Sequence, residues 1–176
     1  ALPDLGLPVN SLAAAVVAIR KLEPELPAGI IEQTLGNLSL PGRFERLGEM
    51  PLVIADVGHN PHAARWLSAR IGAIREPGQR VLAVYGALAD KDVEGVRAAM
   101  AEQVGQWFLA ALDGPRGLGC DELALRISVP NNAESYHCSV SVGEAVSAAL
   151  SDARENDLLL IFGSFFTVAA ARKLLM

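Results

Sequence analysis

Between Asn10 and Glu23 the apolar residues Leu12, Val16, Ile19 and Leu22 recur at helical spacing, behind a cap at Asn10 or Ser11 and short of Pro24. A helix is predicted there, and a shorter one over 28–35, ended by Gly36. Neither has a strand for company. The run Leu38-Ser39-Leu40-Pro41-Gly42 reads as a linker, since Pro-Gly punctuates the chain and no periodicity crosses it. Beyond Gly42 short β-rich runs alternate with helical stretches, the pattern of a sheet with crossover helices. Strands are expected at 44–47, 52–56, 80–85, 106–112, 136–140 and 157–162, and helices at 61–75, 93–103, 120–127, 142–154 and 165–175. The first two strands are joined by Gly48-Glu49-Met50, too short for a crossover, so that pair should be antiparallel. The others should be parallel, because Val81-Leu82-Ala83-Val84 and Leu158-Leu159-Leu160-Ile161 are apolar without a break, as in strands covered on both faces. The expected fold is α/β: a Rossmann-like three-layer domain over 40–176, its mostly parallel sheet of about six strands carrying one antiparallel edge. Residues 1–39 would be a helical tail and linker from an upstream domain.

Composition narrows the class. With 176 residues, 51% hydrophobic and 20% charged, the chain is a folded domain with a core and no disordered tail. Its charge of −5, with scattered lysine and arginine, offers no nucleic-acid footprint. The longest apolar run, Leu158 to Ala171, is broken by Gly163-Ser164 and falls short of the roughly 20 residues of a membrane span. No secretory leader opens the chain, which begins at Ala1 and reads as a piece of something longer. Two cysteines, Cys120 and Cys138, form no CxxC and are too few for a secreted framework, so free thiols in a reducing cytoplasm are expected.

Polar residues gather where strands end: Asp56 to Asn60, Gly86 to Asp92, Asp113 to Arg116, and Gly163-Ser164. In an open parallel sheet these loops share one edge, where such folds bind ligands. Asp56-x-x-His59-x-x-His62 contains metal-ligand types, but His62 follows Pro61 in a first helical turn and the spacing does not suit a metal. Asp56 can equally accept from loop N–H groups, and Asn60 can cap the helix opened by Pro61. Lys91, between Asp90 and Asp92, is either a solvated ion pair or a ligand cation. Arg43, after Pro41-Gly42, is a surface cation or a clasp for phosphate or carboxylate. Gly163-Ser164 is a helix cap or an anion site. The chain has no GxxxxGK[ST], no dinucleotide fingerprint at Gly117-x-Gly119 and no GxSxG elbow, so it carries no Walker cradle and no hydrolase nucleophile.

Leu40-Pro41-Gly42-Arg43-Phe44-Glu45, Asp56-Val57-Gly58-His59-Asn60-Pro61, Gly86-Ala87-Leu88-Ala89-Asp90-Lys91-Asp92, Gly114-Pro115-Arg116 and Phe162-Gly163-Ser164-Phe165-Phe166-Thr167-Val168 stand in this order along nearly the whole chain. Together they resemble the carboxyl-terminal part of the bifunctional dihydrofolate synthase/folylpolyglutamate synthase family of the Mur ligase superfamily. That resemblance implies a P-loop ATPase domain upstream and a Rossmann-like domain here. It implies ATP contacts at Arg43 and Asp56, and at Asn10 near the start of the first helix. It implies roles for His59 and Ser164 with the incoming glutamate, with Lys91 and Asn60 as further candidates. Phe166 departs from the His or Tyr common at that position.

The implied reaction is ATP-dependent amide formation: a carboxylate of dihydropteroate or a folate takes the γ-phosphoryl group, and the amine of L-glutamate attacks the acyl phosphate. Such chemistry needs charge neutralisation and positioning more than protein nucleophiles. The Mg2+ ligands and the P-loop are expected in the upstream part, leaving this piece inactive by itself. A stand-alone nucleotide-binding module, or a receiver domain modified at Asp56 beside Lys91, are the alternatives. The receiver lacks its acidic pair, since only Gly48-Glu49 follows the first strand.

Overall fold

The computed structural model describes residues 5–127 and 135–176. Its elements in chain order are α1 (Val9–Leu22), α2 (Ala28–Gly36), β1 (Glu45–Glu49), β2 (Leu52–Asp56), α3 (Pro61–Ile74), β3 (Val81–Tyr85), α4 (Val93–Met100), β4 (Gln106–Ala110), α5 (Cys120–Ile127), β5 (Ser135–Ser139), α6 (Val142–Asp152), β6 (Leu158–Phe162) and α7 (Phe165–Leu175). The strands form one sheet in the order β1-β2-β6-β3-β4-β5. Only β1 against β2 is antiparallel; every other pair is parallel, as the unbroken apolar runs predict.

Side chains leave each strand alternately and fill two core layers. Val81, Ala83 and Tyr85 of β3, with Leu158, Leu160 and Phe162 of β6, face Leu67 and Ile71 of α3, Val96 and Met100 of α4 and Leu123 of α5. Leu82, Val84, Leu159 and Ile161 face the opposite layer, with Ala145, Val146 and Ala149 of α6 and Ala171 of α7. After β2 and β3 the chain therefore turns to one face, and after β6, which lies between them, it turns to the other. Adjacent strands whose connections part in this way open a crevice at their carboxyl ends.

Several expectations need correction. Strand β1 begins at Glu45, one residue later than the pattern suggests, because Phe44 has a φ of 45° and cannot join the ladder. Strand β4 stops at Ala110, since the Leu112 N–H donates to Leu118 O within the loop that follows. Pro8, not Asn10 or Ser11, occupies the cap position of α1, which leaves Asn10 exposed in the first turn. Of the helical pattern of α1, Leu12 is buried and Val16 half-buried against Ile31 and Leu35 of α2, whereas Ile19 is exposed. Val9, Val17, Leu22 and Ile30 are exposed as well. Cys120 and Cys138, expected as free thiols, are joined in a disulfide with Cα atoms 5.6 Å apart. Helix α5 packs beside β5, a proximity that a separation of 18 residues in sequence does not disclose, and the compartment argument built on free thiols lapses with them. Among the described residues no helix is long and apolar enough to cross a membrane.

Candidate functional site

The crevice is built by loops whose conformations their own side chains fix. Asp56, the last residue of β2, is 5% exposed and accepts two backbone hydrogen bonds, at Oδ2 from Phe44 N (2.9 Å) and at Oδ1 from Gly58 N (2.7 Å). Burial pushes its carboxyl above the ordinary aspartate range, against the opposing pull of those two N–H groups and of the Arg43 guanidinium. Asp56 thus performs the bracing task expected of a loop acceptor. A carboxylate offers about four lone-pair positions, so two remain for a ligand.

The Pro-Gly-Arg turn is fixed by the residues around it. Gly42 has a φ of +71°, and a Cβ there would stand 2.8 Å from Val57 Cγ1; the Val57 N–H donates to Gly42 O at 2.8 Å. The Gly42 N–H donates to Glu45 Oε2 at 2.7 Å, and Glu45 pairs with Arg172 of α7 at 3.3 Å. Arg43 is exposed on this turn, its guanidinium 5.8 Å from the centre of the Phe165 ring. A Cβ on Gly6 would stand 2.9 Å from Phe44 Cβ and 3.3 Å from Arg43 O, so the segment leading into α1 abuts the turn four residues before Asn10.

Asn60 caps α3, its Oδ1 accepting from Ala63 N at 2.9 Å ahead of Pro61. His59 is half-buried, with Nδ1 3.0 Å from Val57 O. A carbonyl only accepts, so Nδ1 carries the proton and Nε2 of the neutral ring is left as an acceptor. Ser164 is 4% exposed and caps α7: its Oγ accepts from Thr167 N at 3.0 Å and lies 2.8 Å from Thr167 Oγ1. Thr167 Oγ1 donates to Gly86 O at 3.0 Å, so the Ser164 proton goes to Thr167 and one lone pair of Ser164 remains. Thr167 is the site residue that the sequence reading missed, although its place three residues after a capping serine is a spacing that could have signalled it. Lys91 pairs with Asp90 at 2.8 Å, and Arg116 reaches the same carboxylate at 3.0 Å from the loop after β4. The two cations pull Asp90 down to about 2.

His59, Lys91 and Ser164 meet, together with Leu88, Phe165 and Phe166, around a cleft of about 120 Å³ where β2, β6 and β3 end. Three residues far apart in sequence converge as the parallel strands require. Asn60 uses its Oδ1 for the helix cap, which leaves its amide NH₂ uncommitted by that bond, and Asp113 lines a neighbouring cleft with Ser141 and Phe166. The described residues contain no cluster of three His, Cys, Asp or Glu able to hold a metal ion.

A doubly wound sheet with its cleft at the switch point, flanked by a rigid arginine turn, defines a ligand-binding α/β domain. The family model described as "Mur ligase, glutamate ligase domain" matches residues 42–165, and the chain belongs to that family. The dihydrofolate synthase/folylpolyglutamate synthase of Escherichia coli K12 is 40% identical over 168 residues, covering 96% of this chain and 38% of the relative. The protein of the same name from Haemophilus influenzae Rd is 34% identical over 187 residues, covering 96% and 42%. Among solved structures, Escherichia coli FolC in complex with DHPP and ADP superposes with a TM-score of 0.88 at 38% identity, over 98% of this chain and 40% of that one. A bifunctional folylpolyglutamate synthase/dihydrofolate synthase with Mn, AMPPNP and L-glutamate bound gives 0.87 at 38% identity, over 99% and 41%. The chain spans about two fifths of the length of the relatives it matches.

Proposed function

We propose that this chain is the carboxyl-terminal part of an ATP-dependent ligase that joins L-glutamate to dihydropteroate, to a folate, or to both, through an acyl phosphate. The observation that carries the reading is the convergence of His59, Lys91 and Ser164 on the switch-point cleft, beside the Arg43 turn, in a domain whose relatives bind ADP, AMPPNP, L-glutamate and DHPP. Arg43 neutralises phosphate charge, Asp56 uses its remaining lone pairs on the nucleotide's hydroxyl groups, and Asn10 approaches the same ligand from α1. The free Nε2 of His59 and the last lone pair of Ser164 are both acceptors, which suits the amine of glutamate. Lys91 is a donor and suits a carboxylate. As the amine nitrogen bonds to the acyl carbon, the carbon–oxygen bond to phosphate breaks and His59 Nε2 takes a proton from the nitrogen.

The P-loop and the Mg2+ ligands belong, in this reading, to an upstream ATPase portion of the kind that the relatives' extra length allows. The described residues do not suit a metal by themselves. Residues 1–39 are the carboxyl-terminal tail of that portion and its linker, and their exposed Val9, Val17, Leu22 and Ile30 are covered by it. Dependence on ATP is the reason to place the enzyme in the cytoplasm.

Replacing Arg43 by Ala in the full-length ligase tests the reading. Loss of a charge-assisted hydrogen bond of about 1.5–3 kcal/mol should weaken nucleotide binding roughly tenfold to a hundredfold while leaving the KM for glutamate nearly unchanged. Unaltered nucleotide affinity would reduce Arg43 to a linker cation, and a measurable ligase rate from residues 1–176 alone would refute the division of labour.

A further inference from the structure

The backbone at Arg43 is over-determined, whereas its side chain is long and exposed. Gly42 and Phe44, on either side, both have positive φ, at 71° and 45°. A left-handed phenylalanine is uncommon and persists only where its surroundings hold it. Here the Phe44 N–H is held by Asp56 Oδ2, its ring meets Trp66 edge-on at 5.9 Å, and the Arg70 guanidinium covers that ring at 4.9 Å. These contacts fix the direction in which the Arg43 side chain leaves the turn. They leave its remaining torsions open.

The tip of Arg43 meets Phe165. Phe165 is the first residue of α7 and is 61% exposed, although its neighbours Ser164 and Thr167 are buried. Burial therefore does not account for a phenyl group here. Its ring lies 5.8 Å from the guanidinium of Arg43, measured to the ring centre, and lines the cleft that it shares with His59, Lys91 and Ser164.

We infer that Phe165 is a positioning residue for Arg43: its ring holds the guanidinium at the rim of the cleft, ready for an anionic ligand. A planar cation is attracted to the face of an aromatic ring, and pre-ordering a flexible side chain lowers the entropy lost when it grips its ligand. The inference rests on the reading of Arg43 as a nucleotide contact.

The test is a double-mutant cycle in the full-length ligase, read as nucleotide affinity by titration with ADP. Phe165→Leu keeps apolar bulk and removes the π face; Phe165→Tyr keeps the face. Phe165→Leu should weaken ADP about two- to fivefold, the range for an exposed cation–π contact, with the melting temperature unchanged, and Phe165→Tyr should restore wild-type affinity. In the Arg43→Ala background Phe165→Leu should have no further effect. Wild-type affinity in Phe165→Leu, or the same loss in both backgrounds, overturns the inference while leaving Arg43 as a nucleotide contact. If Arg43→Ala itself leaves ADP binding intact, the nucleotide reading falls and this inference with it. A readout independent of ligand is the Nε–Hε NMR signal of Arg43 in the free protein, which Phe165→Leu should move by removing the ring current; an unmoved signal also overturns the inference.

Discussion

Replacing Asp56 by Ala separates two duties that one carboxylate combines. Both of its oxygens are engaged by backbone N–H groups, at 2.9 and 2.7 Å, and those of Phe44 and Gly58 would be orphaned. Each orphaned buried donor costs about 1–3 kcal/mol, part of which is returned because a desolvated charge disappears, so a net loss of about 2–4 kcal/mol is expected. At about 2–4 °C per kcal/mol for a domain of this size, the melting temperature should fall by roughly 4–16 °C. Asp56→Asn keeps one acceptor but aims an NH₂ group at the other backbone donor, and so should fall between wild type and Ala. The pH dependence has a definite sign. The carboxyl of Asp56 is raised above 3.8 in the folded state, so the folded chain binds its proton more tightly. Its contribution to stability is then fully present below about pH 3.8 and is lost as pH rises through the folded value. The deficit of Asp56→Asn relative to wild type should accordingly shrink across that window, because Asn does not titrate. Calorimetric melts of the three proteins at a series of pH values decide the matter. A melting temperature for Asp56→Ala within a degree of wild type would show that the turn does not depend on this carboxylate.

Ser164→Ala removes the α7 cap and the hydroxyl chain to Gly86, and should cost about 1–2 kcal/mol, whereas His59→Ala should leave the melt nearly unchanged and lower glutamate turnover in the full-length enzyme; wild-type glutamate kinetics in a folded His59→Ala protein would remove His59 from the site. Gly163→Ala should be severely destabilising, because φ is +112° and a Cβ would stand 2.6 Å from both Gly86 O and the Tyr85 ring, and a soluble, normally melting variant would contradict that packing. Burial pushes Asp157 up, but Arg80 and the Arg154 N–H more than offset it, so its carboxyl titrates below 3.8; that stability is present above pH 3.8 and is lost as pH falls through the folded value, and Asp157→Asn should flatten the acid limb of the pH–stability curve.

The sheet was legible because its central strands carry unbroken apolar runs, and covering both faces of a strand demands that composition. Asn60-Pro61 and Ser164 were legible as caps because capping is a local affair of three residues. What the pattern hides is contact between distant segments. Phe44 reads as the first residue of a strand, yet its left-handed backbone is set by Asp56, twelve residues on. Leu12 reads as one stripe with Ile19, and only the approach of α2 assigns it an inward face. The disulfide depends on α5 packing beside β5, for which no spacing rule exists.

The same distinction bears on the chemistry. The sequence leaves Ser164 as a helix cap or an anion site and allows Asp56 to brace its loop while binding a ligand, and counting hydrogen bonds turns both questions into arithmetic. Ser164 has spent its proton on Thr167 and one lone pair on the Thr167 N–H. It can therefore receive a hydrogen bond from a ligand amine but cannot donate one to a carboxylate without breaking that chain. His59, tied through Nδ1 to Val57 O, presents an acceptor as well. Lys91 alone among the three polar side chains of the cleft is a permanent donor, and it is already shared with Asp90. An amino acid entering this cleft is thus expected with its amine toward His59 and Ser164 and a carboxylate toward Lys91. Exchanging Lys91 for Gln should consequently raise the KM for glutamate with little change in kcat, whereas His59→Ala should act chiefly on kcat, because in the proposed function His59 takes the proton that the attacking nitrogen sheds. Equal effects of both changes on kcat would refute that orientation.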